Sequence, residues 1–314
     1  MQIISEDFPG YNTVKPMLDV INTSEAILAK EPENIDAHIV LAESYFALWC
    51  YGIIPYIEAI KKVKVSTAIV LELNSNLSDV HTLSALIKLS EWDWDNAERE
   101  FKIAIDLDPN SAKANHWYAL YLAAMGRFQE SIALSKKAVR LEPTPGYKIG
   151  LGSMYYFAHD FVELKKGMEE IISEEPEFAQ GYDWLGMAYI QLKEYEKSIE
   201  VYEKSASLSG RLAEILGGPG HAYGIAGKEK KARQILDELI NYSLKYYIPP
   251  VQIAFVYAGL GDDEKVFELL ERAYKERSWE LIFMREEPWF DYLRTDIRFK
   301  EFVARLKFPE KDIN

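Results

Sequence analysis

Five histidines, one cysteine, a glycine-proline cluster and two short acidic runs are the side chains from which this chain could build chemistry. The histidines are His38, His81, His116, His159 and His221. No two stand four residues apart and no His-Glu-x-x-His occurs, so the helical zinc arrangement with two imidazoles on one face is absent. Cys50 is the single cysteine and has no disulfide partner. Nothing sets it at a helix start beside a basic residue, where a thiolate would be held, so it is expected to be inert. Gly217-Gly218-Pro219-Gly220 could cradle a phosphate on backbone N–H groups, but no Lys-Ser/Thr follows and Pro219 lacks an N–H. A loop that reorients one helix pair is the expectation, with the helix there starting late, near His221, or broken. Glu169-Glu170 and Glu174-Glu175 lack calcium-loop spacing and read as a solvated helix end. No catalytic residue, metal site or cofactor is expected.

The elements that carry these groups are bounded first by length, since 314 residues exceed the roughly 150 of one compact domain. Two or three globular domains, or one extended array, would account for the length. Hydrophobic residues make up 48% and the net charge is −14. Such a surface repels phosphate backbones, and the longest basic stretch, Lys228, Lys230, Lys231 and Arg233, has the spacing of one solvated helix face. Direct nucleic-acid binding is therefore not expected. The first residues lack the basic and apolar regions of a secretory leader, and no run of about 18 apolar residues exists. No membrane contact is expected, and a cytoplasmic setting fits the lone cysteine.

A period organises the chain. Pro109, Pro143 and Pro176 follow acidic helix ends at spacings of 34 and 33 residues, where a proline stops one helix before the next begins. Five residues before each stand Ala104, Ala138 and Ile171; twelve before, Ala97, Ser131 and Leu164; fifteen before, Trp94, Phe128 and Phe161. Small residues at such places let antiparallel helices approach closely. Leu164 and Ile171 are large for the pattern, so the unit holding them is expected to pack more widely.

These residues resemble the tetratricopeptide-repeat (TPR) family. Trp184-Leu185-Gly186, Tyr189, Tyr195, Ser198, Tyr202, Ser205 and Leu208 fall where that motif expects them, as do Ala119, Gly126, Phe128, Ser131, Ala138 and Pro143. The register gives a partial N-terminal unit at 1–34, then units at about 35–77, 78–111, 112–145, 146–178, 179–212, 213–246 and 247–280, and a capping segment at 281–314. The unit at 35–77 carries a surplus around Cys50–Ser66. The implied fold is all-α, a right-handed superhelical solenoid in which neighbouring pairs bury one another's apolar faces. Trp92-Asp93-Trp94, His116-Trp117-Tyr118, Tyr257-Ala258-Gly259 and Pro288-Trp289-Phe290 are further similar to the C-terminal TPR half of bacterial regulators that carry a winged-helix or Ser/Thr kinase domain. Neither companion domain is present, so the chain reads as a fragment or a free-standing relative.

That resemblance implies an inner wall made by the first helix of each pair. On it fall His116, Leu120, Ile149, Tyr156, Phe157, Asp183, Met187, Ile190, Gln191, His221 and Phe255. The wall lacks the Lys, Asn and Arg with which TPR relatives hold a terminal carboxylate, and its character is apolar and aromatic. The expected function is a protein-interaction scaffold binding an extended or helical protein segment, a regulatory or sensory module rather than an enzyme; homo-oligomers are compatible with it. The alternative is a small-molecule sensor with a pocket near 213–257, lined by Tyr223, Tyr246 and Tyr257.

Overall fold

A computed structural model of the chain describes Ile4 and residues 6–310. The outermost parts of the two terminal units expected from the sequence, at 1–3, 5 and 311–314, lie outside the described residues. Among those described there is no strand, and no helix is long and apolar enough to cross a membrane.

After α1 (Tyr11–Leu28), the helices run as antiparallel pairs: α2 (Ile35–Cys50) with α3 (Tyr56–Leu73), α4 (Ser78–Ser90) with α5 (Trp94–Leu107), and α6 (Ala112–Ala124) with α7 (Phe128–Leu141). Then come α8 (Pro145–Phe157) with α9 (Phe161–Glu174), α10 (Ala179–Gln191) with α11 (Tyr195–Leu208), α12 (Ala213–Ile225) with α13 (Glu229–Ser243), and α14 (Pro250–Leu260) with α15 (Asp263–Glu276). A C-terminal segment follows, with two short 3-10 helices, η1 (Trp279–Phe283) and η2 (Pro288–Leu293), and α16 (Ile297–Arg305).

The turn inside each pair has one physical cause. Trp92, Gly126, His159, Lys193, Gly227 and Gly261, spaced 34, 33, 34, 34 and 34 apart, all have positive φ. A left-handed residue just past a helix end lets the next N–H reach back five residues to an orphan carbonyl. That bond recurs from Asp93 to Lys88, Arg127 to Leu122, Asp160 to Tyr155, Glu194 to Tyr189, Lys228 to Tyr223 and Asp262 to Tyr257, at 2.8–3.0 Å. The turn between pairs is fastened by a side chain reaching back six residues. His38 Nε2 meets Pro32 O, His81 Nε2 meets Ser75 O, Asn115 Nδ2 donates to Pro109 O and Tyr182 Oη to Pro176 O. His38 and His81 are thus structural fasteners.

Successive pairs are joined by a tyrosine on a first helix and a glutamate twenty residues earlier on the preceding second helix. Tyr45 donates to Glu25, Tyr118 to Glu98, Tyr189 to Glu169 and Tyr223 to Glu203. Inside the pairs, Ala97, Ala104, Ser131 and Ala138 are fully buried. The wider packing expected for the unit with Leu164 and Ile171 is found, since α8 and α9 run less closely together than the helices of the other pairs, and their nearest approach is made at a glycine. A Cβ at Gly152 would lie 2.5 Å from Met168 Cε and 3.2 Å from Leu164 Cδ1, so α8 presses onto α9 there.

The expectation of a late or broken helix at 217–220 is overturned. α12 runs unbroken from Ala213 to Ile225 with Pro219 inside it. Each glycine makes room for a neighbour: a Cβ at Gly217 would meet Gln252, one at Gly218 the Tyr202 ring, and one at Gly220 Val256. Gly224 and Gly259 bring the backbones of α12 and α14 into contact. Packing here overrides helix propensity, which is a weak local preference.

The array curls until its ends meet. Thr13 Oγ1 donates to Ser209 O at 3.0 Å, Gly10 touches Leu212, and Phe8 packs edge-on against Tyr246 at 5.0 Å. The turn after α2 joins this closure, because Gly52 faces Pro249. A ring of paired helices results, with the first helices inside.

Candidate functional site, an interior chamber

The C-terminal segment fills much of the ring's interior. Trp279 of η1 meets Phe46 and Trp49 of α2 and Trp117 of α6 at 5.5–6.2 Å. Phe283 stacks on Phe157 of α8 at 4.6 Å. Trp289 of η2 lies flat on His221 of α12 at 4.8 Å and edge-on to Phe255 of α14 at 4.1 Å. Backbone anchors flank these rings: Trp49 Nε1 donates to Arg277 O, Arg277 to Ser90 O, Arg285 to Ala124 O and Trp94 Nε1 to Leu306 O. Every one of these ring contacts is to a first helix, so the segment lies on the inner wall.

Between segment and wall remains a chamber of about 150 Å³. Its walls are aromatic and aliphatic, and four carboxylates line it: Asp183 from α10, Glu214 from α12, Glu280 from η1 and Glu287 at the start of η2. Among the described residues no Lys, Arg or His lines it. Glu287 is satisfied by the Tyr156 hydroxyl and the Trp289 N–H. Glu280 takes one bond from Gln252 at 3.2 Å, while its Oε2 is buried without a partner.

Burial disfavours the charged form of such groups. It pushes the Asp183 carboxyl up to about 8 and Glu287 up to about 7, against the lowering pull of the Tyr156 hydroxyl. Glu214 is raised well above the usual carboxylate range by burial, with Asp183 and Glu280 adding repulsion, and burial raises Glu280 as well. The Cys50 thiol, also on the chamber wall, is pushed up by burial and by Glu214 and Glu280, so a nucleophilic thiolate is disfavoured. Burial takes His116 and His221 down to about 4.

A pH dependence follows. Between about 4 and the raised values, the native carboxyls hold protons that the unfolded chain has released, so their contribution to stability falls as pH rises. The two histidines act oppositely, but only below about 6.5, their unfolded value. From about pH 6.5 to 8 the carboxyls act alone, and melting should show a loss of roughly 2–4 kcal/mol across that window. A flat or rising profile would mean that Asp183 and Glu287 are ionised throughout.

Of the inner-wall residues expected from the sequence, Leu120, Tyr156, Phe157, Asp183, Met187 and Phe255 line the chamber. His221 sits behind Trp289 and bonds Phe255 O at 2.9 Å. His116 packs between Trp117, Tyr147 and Gly150. Ile149 and Ile190 belong to the packed core, and Gln191 ends α10. The tyrosines expected around a pocket at 213–257 do not form one, which corrects that lining. Tyr223 points to Glu203, Tyr246 packs on Phe8, and Tyr257 packs against the core away from the chamber. Sequence reasoning missed Glu214, Glu280, Glu287, Trp184, Trp279 and Trp289. Glu214 was hidden by the expected helix break, Trp184 of α10 by its reading as a repeat-motif residue, and Glu280, Glu287, Trp279 and Trp289 by treating the last segment as an outer cap.

Stacked helix pairs of this period, with their first helices inward, define a tetratricopeptide-repeat solenoid, an architecture whose concave face serves as a binding surface. Tetratricopeptide-repeat models match residues 85–147 and 179–211. Cytochrome c-type biogenesis protein CycH of Pseudomonas aeruginosa is 31% identical over 77 residues, 24% of this chain and 19% of that protein. Protein CTR9 homolog of Arabidopsis thaliana is 23% identical over 238 residues, 71% of this chain and 21% of that protein. The chain thus spans about a fifth of each. Among solved structures, the APC/C hetero-tetramer Cut9–Hcn1 superposes with a TM-score of 0.64 at 15% identity, covering 92% of this chain and 52% of that one. That likeness concerns the fold.

Proposed function

We propose that this chain is a sensory binding module that takes a small ligand into the chamber inside its helical ring. One observation carries the reading: the centre of the inner wall is covered by the chain's own C-terminal segment, and the space left lies between segment and wall. A ligand there touches η1 and η2 on one side and α8, α10, α12 and α14 on the other. Binding would therefore tie the segment to the wall, and an outside partner could sense the change through the segment's α16 end. A second cavity of about 360 Å³ shares Glu214 with the chamber and reaches α1 and the α2–α3 turn, and the proposal takes it as the way in. A regulatory setting is part of this proposal and rests on the sequence motifs alone.

The competing reading, an extended or helical protein segment along the groove, gains support from the way the chain's own segment occupies that wall. A partner would then have to displace it. Thermal-shift screening of the full chain and a Met187→Trp variant, whose indole fills the chamber, separates the two. Small-ligand hits that vanish in the variant support the chamber. Hits that persist unchanged, or a protein segment that binds while freeing residues 278–296, would overturn it.

A further inference from the structure

Resting on the chamber reading, we propose that the ligand is a small organic cation, a protonated amine on an apolar body, whose N–H groups bond the carboxylates of Asp183, Glu214 and Glu280.

Unpaired acceptors make the case. Among the described residues, Asp183 and Glu214 accept no hydrogen bond from any group, and Glu280 keeps Oε2 buried and unpartnered. A fully buried acceptor is ordinarily satisfied, so Glu280 Oε2 calls for an absent partner, and Asp183 and Glu214, half-buried on the chamber wall, stand open to the same one. The neighbouring Glu287 shows the contrast, since its oxygen already takes two donors. Structural ion pairing does not account for the cluster. Arg294, whose charge reaches Glu287, is committed to Asp291 and to the carbonyls of Arg285 and Glu287.

The chemistry of the missing partner follows from the walls. Several carboxylates with no cation among them favour positive charge. Trp184 and Trp279 add aromatic faces, which attract a desolvated cation. A metal ion fits poorly, because among the described residues no group of three or more His, Cys, Asp or Glu is placed to hold one. A volume of about 150 Å³ resembles that of a cavity that takes benzene, so the body is the size of one ring or a short chain. An ammonium suits the acceptors better than a quaternary head, which has no N–H to donate.

Proton release is the signature. The groups facing the charge are Asp183, Glu214, Glu280, Glu287, Cys50 and Tyr156, with Tyr202, Asp291 and Arg294 just behind. Carboxyls held protonated in the empty chamber must lose a proton to face an ammonium. Affinity should therefore rise with pH, by up to about tenfold per unit for one proton released.

Calorimetric titration of the intact chain tests this, using phenethylamine, cadaverine, the trimethylammonium analogue of phenethylamine, phenethyl alcohol and phenylacetate at about pH 6 and about pH 8. At least one primary amine should bind at least about tenfold more tightly than the alcohol, more tightly at the higher pH, and with proton release seen in buffers of different ionisation heat. Asp183→Asn and Glu280→Gln should each weaken it at least about tenfold while melting no lower than the parent at the higher pH, which separates lost binding from lost folding. If the alcohol or phenylacetate binds equally well, the cation assignment fails and the chamber stands. Equal binding of the trimethylammonium analogue overturns the role given to the N–H groups. If no compound binds, the assignment falls, while the Met187→Trp comparison still decides the chamber by itself.

Discussion

Trp289→Ala is expected to lower the stability of the ring by roughly 3–5 kcal/mol, the range for removing a large buried aromatic. Trp289 is 3% exposed, lies flat on His221 and edge-on to Phe255, and helps wall the chamber. Its loss deletes the contact that ties η2 to both α12 and α14, and it enlarges the chamber toward the solvent. Urea unfolding should show a fall in midpoint, and an apolar dye should gain fluorescence with the variant because the inner wall becomes accessible. A variant as stable as the parent, with no dye response, would mean that η2 does not seal the ring.

Gly224→Val should be at least as damaging, through the backbone rather than through a cavity. A Cβ at Gly224 would lie 2.4 Å from the carbonyl carbon and 2.5 Å from the oxygen of Gly259, on a neighbouring helix. Neither atom can rotate away, so α12 and α14 must separate and take Pro219 and the glycine face with them. Loss of more than about 3 kcal/mol is expected, at the top of the overpacking range. Gly227→Ala gives the contrast. Gly227 has φ +72, and a Cβ added there would meet open space; His159 and Lys193 hold the same conformation in their own turns. Its cost is that of a left-handed alanine, about 1–2 kcal/mol. Thermal melts of the two variants rank them; near-equal losses would contradict the close crossing of α12 and α14.

The parts of this structure that can be read from the sequence are those set by local rules. The prolines ending second helices, the small residues at Ala97, Ala104 and Ala138, and the glycines at 126, 227 and 261 announce a period because each solves a problem within one pair. His38, His81 and Asn115 obey an equally local rule, each fastening a turn six residues back, but only the structure shows it. What stayed hidden depends on contacts across the ring. Gly217-Gly218-Pro219-Gly220 looks like a breaker until Tyr202, Gln252 and Val256 are seen against it. Trp279 and Trp289 look like a cap until curvature brings them to Phe46 and His221, residues far from them in the chain. Asp183 and Glu214 are ordinary acidic residues on first helices. Only closure of the ring sets them beside Glu280 and Glu287 in a space without a base.

Closure is open to direct measurement. Backbone amides of residues 278–296 in the intact chain can be followed by hydrogen–deuterium exchange with mass spectrometry. A segment packed on the inner wall predicts protection comparable to that of α10 and α12; exchange as fast as an unstructured peptide would contradict the filled ring and remove the chamber with it.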